Sequence, residues 1–128
     1  MKPATNYYNL YIDTNNTEAQ YQRITQILGV TPKSSEGERN PFDIWHYQIA
    51  KPYEDKFDFI NAFMDIVEPK LAALHAIGIH GDDIHIWLVC ELQPHDICAL
   101  GFNPQEMQRI SQHGISLSID CIAKTAGD

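Results

Sequence analysis

Six histidines are the first residues in this 128-residue chain that could do chemistry, and two of them crowd into His80-Gly81-Asp82-Asp83-Ile84-His85. Two imidazoles and two carboxylates at a turn into a strand are the donor types of a metal site. Such a site needs three or four donors converging at about 2 Å, so His80, Asp82 and His85 would have to share one face. The spacing matches neither His-Glu-x-x-His nor a two-histidine, one-carboxylate set; a solvated turn is expected and no metal ligand is assigned. Nucleophilic chemistry has less to start from. No Gly-x-Ser-x-Gly elbow is present, and of Cys90, Cys98 and Cys121 only Cys98 has a histidine close by, His95 three residues earlier. The carboxylate pairs Glu36/Glu38, Glu54/Asp55 and Asp82/Asp83 fall in loops or at helix starts, where acids favour the helix dipole without any catalysis. There is no glycine-rich phosphate loop. No catalytic residue and no cofactor is assigned.

Binding chemistry has two footholds. Thr31 to Phe42 is a long polar loop carrying Lys33, Glu36, Gly37, Glu38 and Arg39, and it runs into Trp45. Loops of a dozen residues are mobile or functional, and a glycine among charges also simply makes the turn. The second foothold is the aromatic set Tyr7, Tyr11, Trp45, Tyr47, Phe57 and Trp87. Strand tryptophans commonly pack in a core or along a sheet surface. If Tyr7, Tyr11 and Trp87 share a sheet face left free of helices, they line a shallow binding surface or a dimer interface.

Hydrophobic spacing supplies the elements that must position these groups. Tyr7 to Asp13 alternates, with Tyr8, Leu10 and Ile12 on one side, as a strand with one buried face does. Thr17-Glu18-Ala19-Gln20 has capping-box spacing and opens a helix with Tyr21, Ile24, Ile27 and Leu28 inward, closed by Gly29. A strand over Asp43 to Ala50 places Trp45, Tyr47 and Ile49 together. Asp55 to Ile77 is helical, with Pro69 forcing a kink or two abutting helices. Asp83 to Leu92 is apolar on both faces and reads as a central strand. Ile97 to Phe102 reads as a short strand. Asn103-Pro104-Gln105-Glu106 starts a helix that turns Met107 and Ile110 inward, and Ile115 to Cys121 alternates in a closing strand. Gln22-Arg23-Ile24-Thr25-Gln26 echoes Gln108-Arg109-Ile110-Ser111-Gln112, which suggests a pseudo-repeat of strand, helix and return strand. The expected fold is a single α+β domain over 1–128 with frayed ends at 1–5 and 125–128. It is a two-layer sandwich with a mixed, largely antiparallel sheet and helices on one face, ferredoxin-like in the broad sense.

Composition narrows the partners. The net charge is −8, from 17 acids against 9 bases. The bases are scattered singly, so nucleic-acid binding and adhesion to anionic membranes are not expected. A cationic protein partner suits this charge. No apolar run reaches the roughly 18 residues of a membrane span, and the first residues lack the apolar core of a signal peptide. The three cysteines have no metal-ligand spacing and read as small buried hydrophobes in a reducing, cytoplasmic setting.

Leu28-Gly29-Val30-Thr31-Pro32, the run ending in Gly37-Glu38, Trp45 and Gly114-Ile115-Ser116-Leu117-Ser118-Ile119-Asp120 together resemble a bacterial family, domain of unknown function 4279. The resemblance spans nearly the whole chain and implies a small bacterial cytoplasmic protein. It implies no reaction, and it directs attention to the loop from Lys33 to Arg39. The leading expectation is a non-enzymatic protein-binding module, immunity-like or regulatory, contacting its partner through Lys33, Glu36, Gly37, Glu38, Arg39 and Trp45. A small-molecule sensor acting as a homodimer is the alternative drawn from fold analogy. A metal-dependent enzyme on the His80–His85 turn is the third.

Overall fold

Alternation in the first strand is realised as β1, Thr5–Asp13, whose Tyr8, Leu10 and Ile12 are all buried. The computed structural model describes residues 4–33, 40–96 and 100–123. Ala4 is already buried and its carbonyl accepts from Tyr53 N at 2.9 Å, so Ala4 and Thr5, within the stretch 1–5 expected to fray, are held in place. Thr17 caps α1, Glu18–Leu28, accepting from Gln20 N at 3.2 Å, and Gly29 closes it at φ 73°, a left-handed turn only glycine takes without strain. The reciprocal half of the expected capping box is absent. Gln20 instead accepts from Asn15 N and donates to Ile77 O at 2.7 Å, satisfying a carbonyl at the end of a later helix.

β2, Ile44–Pro52, follows. The long helical region divides as Pro69 requires: α2, Phe59–Val67, a 3-10 turn over Glu68–Lys70, and α3, Leu71–Ala76. β3, Ile84–Leu92, is entered from a second 3-10 turn, Gly81–Asp83. That turn lies so close to the chain at His113 that a Cβ on Gly81 would fall 1.5 Å from the His113 carbonyl oxygen. Asn103 and Glu106 form a full capping box for α4, Pro104–Ser111, and β4, Ser116–Ala123, completes the sheet. Among the described residues Leu100 to Phe102 is not strand, and Ile97 to Ala99 lies outside them.

The four strands lie in the order β2-β1-β3-β4; β1 is antiparallel to both β2 and β3, and β3 is parallel to β4. The sheet is therefore open, mixed and mostly antiparallel, and the chain is a two-layer α+β sandwich. The core joins Leu10, Ile12, Trp45, Ile86 and Leu88 from the sheet to Ile24, Phe63, Met64, Leu74 and Ile110 from the helices. The two echoed helices sit in unlike units, because α1 connects antiparallel neighbours and α4 connects parallel ones. Arg109 fastens α4 to the preceding helical region, donating to Asn61 at 2.8 Å, Asp65 at 2.7 Å and Glu68 at 3.2 Å. Glu68 also bonds His113, and that hydrogen bond, with Arg109 beside it, lowers the Glu68 pKa.

Two inward assignments change at the edge of the sheet. Met107 is 40% exposed, since α4 meets the core through Ile110 and meets α2 through Arg109. Cys121 is exposed rather than buried, because β4 is an edge strand that the helix layer leaves largely uncovered. Cys90, its neighbour on β3, is buried as expected. Among the described residues no helix is long and apolar enough to cross a membrane.

Candidate functional site

Because side chains alternate across a strand, the residues opposite the core line up on a second face, and no helix among the described residues covers it. β1 contributes Tyr7, Asn9, Tyr11 and Asp13. Strand pairing sets Asn9 between Gln48 and Trp87, and Tyr11 between His46 and His85. β4 extends these rows with Ser118 beside Trp87 and Ser116 beside His85. Tyr7, Tyr11 and Trp87 thus share the free face, as the alternation of their strands anticipates.

Asn9 organises the centre, only 2% exposed. Its amide nitrogen donates to the carbonyls of Trp87 at 3.1 Å and Tyr7 at 3.3 Å, which orients the group. The amide oxygen then accepts from Gln48 Nε2 at 2.9 Å and from His46 Nε2 at 2.7 Å. That bond places the His46 proton on Nε2. Burial, with a smaller push from Lys33, lowers the His46 pKa to about 4, so the ring is neutral at pH 7. Tyr11 stacks on it with ring centres 4.2 Å apart and leans against Trp87 at 5.5 Å.

The β3–β4 half of the face is aromatic and acidic. The Trp87 indole N–H donates to Asp120 at 2.7 Å, and His85 links Ser116, 2.6 Å from Nδ1, to Asp13, 2.9 Å from Nε2. Tyr11, Asp13, Ile44, His85, Trp87 and Asp120 surround a shallow hollow of about 620 Å³. The strand residues on this face include the acids Asp13, Glu91 and Asp120 and no lysine or arginine. Lys33 stands at the β2 margin, near enough to act on His46.

Ser116, His85 and Asp13 are the residue types of a hydrolytic triad, but their surroundings oppose that chemistry. A serine nucleophile needs fixed donors where an oxyanion develops. The hollow beside Ser116 presents the carboxylates of Asp13 and Asp120, which repel such a charge. The arrangement is suited to holding a cation or a hydrogen-bonding partner.

The residues singled out in the sequence are distributed unevenly. Lys33 is exposed, and its backbone N–H donates to His46 O at 2.6 Å, which ties the start of the loop to β2. Glu36, Gly37, Glu38 and Arg39 lie outside the described residues, as does Cys98 of the His95–Cys98 pair. Trp45 is fully buried and its indole N–H donates to Thr25 Oγ1 at 3.0 Å; it is a core residue and offers no contact surface. Its period-2 position opposite His46 dictates this, since the two faces of β2 look toward the helices and away from them. His80 and His85 part company, His80 lying against His75 at 5.0 Å and His85 reaching Ser116 and Asp13. Among the described residues no three His, Cys, Asp or Glu side chains are placed to hold a metal ion. Asn9 and Asp120 escaped the sequence reading, and His46 entered it only as one of six histidines. Their alternation with buried neighbours was visible, but their cross-strand partners depend on register. Comparison of the chain with protein-family models, curated proteins and solved structures finds no match.

Proposed function

We propose that the chain is a non-enzymatic protein-binding module that takes a cationic segment of its partner on the open face of the sheet. One observation carries the reading: Tyr7, Tyr11 and Trp87 share an uncovered face with the carboxylates of Asp13 and Asp120. A guanidinium or ammonium group is attracted to an aromatic face, and a neighbouring carboxylate adds a charge-assisted hydrogen bond. Tyrosine and tryptophan are also the side chains that most often dominate binding energy at protein interfaces. The net charge of −8 speeds encounter with a basic protein. This supports an immunity-like or regulatory role in a bacterial cytoplasm, the setting that the resemblance to domain of unknown function 4279 implies. Membership of that family is part of the same proposal.

The two tryptophans make a direct test available, since Trp45 is buried and Trp87 lies on the open face. Titration with an arginine-rich peptide should change Trp87 fluorescence to saturation, and added salt should weaken the binding. An acidic peptide of equal length should do nothing. Asp120→Asn and Tyr11→Ala, checked for native circular dichroism, should each weaken binding about tenfold, a loss of about 1.4 kcal/mol. Undiminished binding by both folded variants would sink the reading.

A further inference from the structure

The helix-covered side of the sheet holds a second cavity, more enclosed than the hollow on the open face and about 670 Å³ in volume. It lies between the start of β1, the end of β3 and the entrance to α2. Its walls are Tyr8, Phe57, Phe59, Phe102 and Leu88, with Asn6 and Cys90 at the sheet. The rings are already arranged edge to face: Tyr8 meets Phe57 at 5.0 Å and 74°, and Phe59 meets Phe102 at 6.1 Å and 78°. That geometry leaves ring faces and edges to receive another planar group. The size falls within the range of small-molecule sites, and the inner wall is aromatic and aliphatic while the mouth is charged.

Asn6 is the feature that a purely structural cavity does not explain. It is 7% exposed and donates from Nδ2 to the Tyr8 hydroxyl at 3.2 Å, yet its Oδ1 is sealed from solvent and has no hydrogen-bond partner among the described residues. A buried acceptor without a partner destabilises the fold, and native proteins keep few of them. Asn6 lines the cavity, and the terminal torsion of asparagine is broad, so turning the amide, with release of its bond to Tyr8, brings this oxygen to face a group there. The Tyr8 hydroxyl, accepting from Asn6, has its own proton to give. Burial raises the Tyr8 pKa, which keeps that proton in place. An acceptor and a donor therefore stand side by side in an aromatic pocket. At the mouth, Glu54, Asp55, Asp58 and Glu106 outnumber Lys56, so anions are disfavoured.

We infer that this cavity binds a small uncharged heteroaromatic ring that presents a ring N–H to Asn6 and an adjacent acceptor to Tyr8. This site is separate from the open face and stands whether or not a cationic partner docks there. The test is titration of the 15N-labelled protein with 2-pyridone, which carries that N–H and carbonyl pair, and with benzoate, a planar anion of similar size. 2-Pyridone should move the backbone amides of Asn6, Tyr8, Phe59 and Cys90 to saturation and leave Trp87 and Ser118 in place. Benzoate should move none of them. Asn6→Leu should retain the native spectrum and bind 2-pyridone at least tenfold more weakly; should it fail to fold, Phe57→Ala, at a half-buried wall position, should show the same loss. The inference is overturned if 2-pyridone shifts nothing up to its solubility, leaving a water as the only occupant beside Asn6. Equal binding of benzoate, or full affinity in the folded variants, overturns it as well.

Discussion

His46 should make the fold sensitive to mild acid, in a window set by its surroundings. In the unfolded chain it titrates near the ordinary 6.5, and in the folded protein near 4, because burial and Lys33 disfavour the charged ring. A histidine with a depressed folded pKa is protonated more readily when unfolded. Its contribution to stability is therefore complete above pH 6.5 and is lost progressively as pH falls toward 4. Between pH 7.5 and pH 5 these two values correspond to about 2 kcal/mol, which screening at a half-buried ring reduces to about 1–2 kcal/mol. Urea unfolding of the parent and of His46→Gln at both pH values measures it. Glutamine keeps an N–H donor for Asn9 Oδ1 but does not titrate, so the parent should lose about 1–2 kcal/mol more than the variant. Equal losses in the two proteins, or a folded His46 that titrates at 6 or above by NMR, would falsify the assignment of a half-buried neutral ring.

Three further outcomes follow from the packing. Gly81→Ala would put a methyl carbon 1.5 Å from the His113 carbonyl oxygen, with backbone on both sides. The expected cost is about 3 kcal/mol, read as a melting temperature lower by about 10 °C in a thermal scan. Arg109→Met removes three hydrogen bonds that fasten α4 to Asn61, Asp65 and Glu68. Because its acidic partners reach solvent, the loss should be only about 1–2 kcal/mol, and hydrogen exchange should quicken in α4 before β1. Asn103→Ala opens the capping box of α4 and should cost about 1 kcal/mol in chemical denaturation.

The elements were legible because each carries a local signature. Thr17 and Gly29 bracket α1, Pro69 divides the long helical region, and Asn103-Pro104 starts α4. The alternation of β1 named the residues of the open face before any pairing was known. The sequence could not reveal what those residues meet. Asn9 reads as an exposed polar position in β1, and it becomes the buried centre of the face only when Gln48 and Trp87 flank it. His85 and Asp13 are 72 positions apart and meet through register alone. Trp45 was drawn to the surface by its nearness to a charged loop, whereas its strand parity puts it in the core. Met107 and Cys121 show the opposite error. Periodicity tells which residues share a face, but not how far the covering layer extends over it.

The position of β1 at the centre of the sheet has a consequence for synthesis of the chain. Tyr8 pairs with Leu88, about eighty residues further on, while its other neighbour, Ile49, comes about forty residues later. At about 5–20 residues per second, the inner edge of β1 waits about 4–16 seconds for β3 to leave the ribosome. During that interval Tyr7-Tyr8-Asn9-Leu10-Tyr11-Ile12 is an uncharged, aromatic segment with an unpaired edge, the kind of sequence that joins to copies of itself. Tyr7 and Tyr11, which end on the open face of the finished sheet, are then a hazard on polysomes.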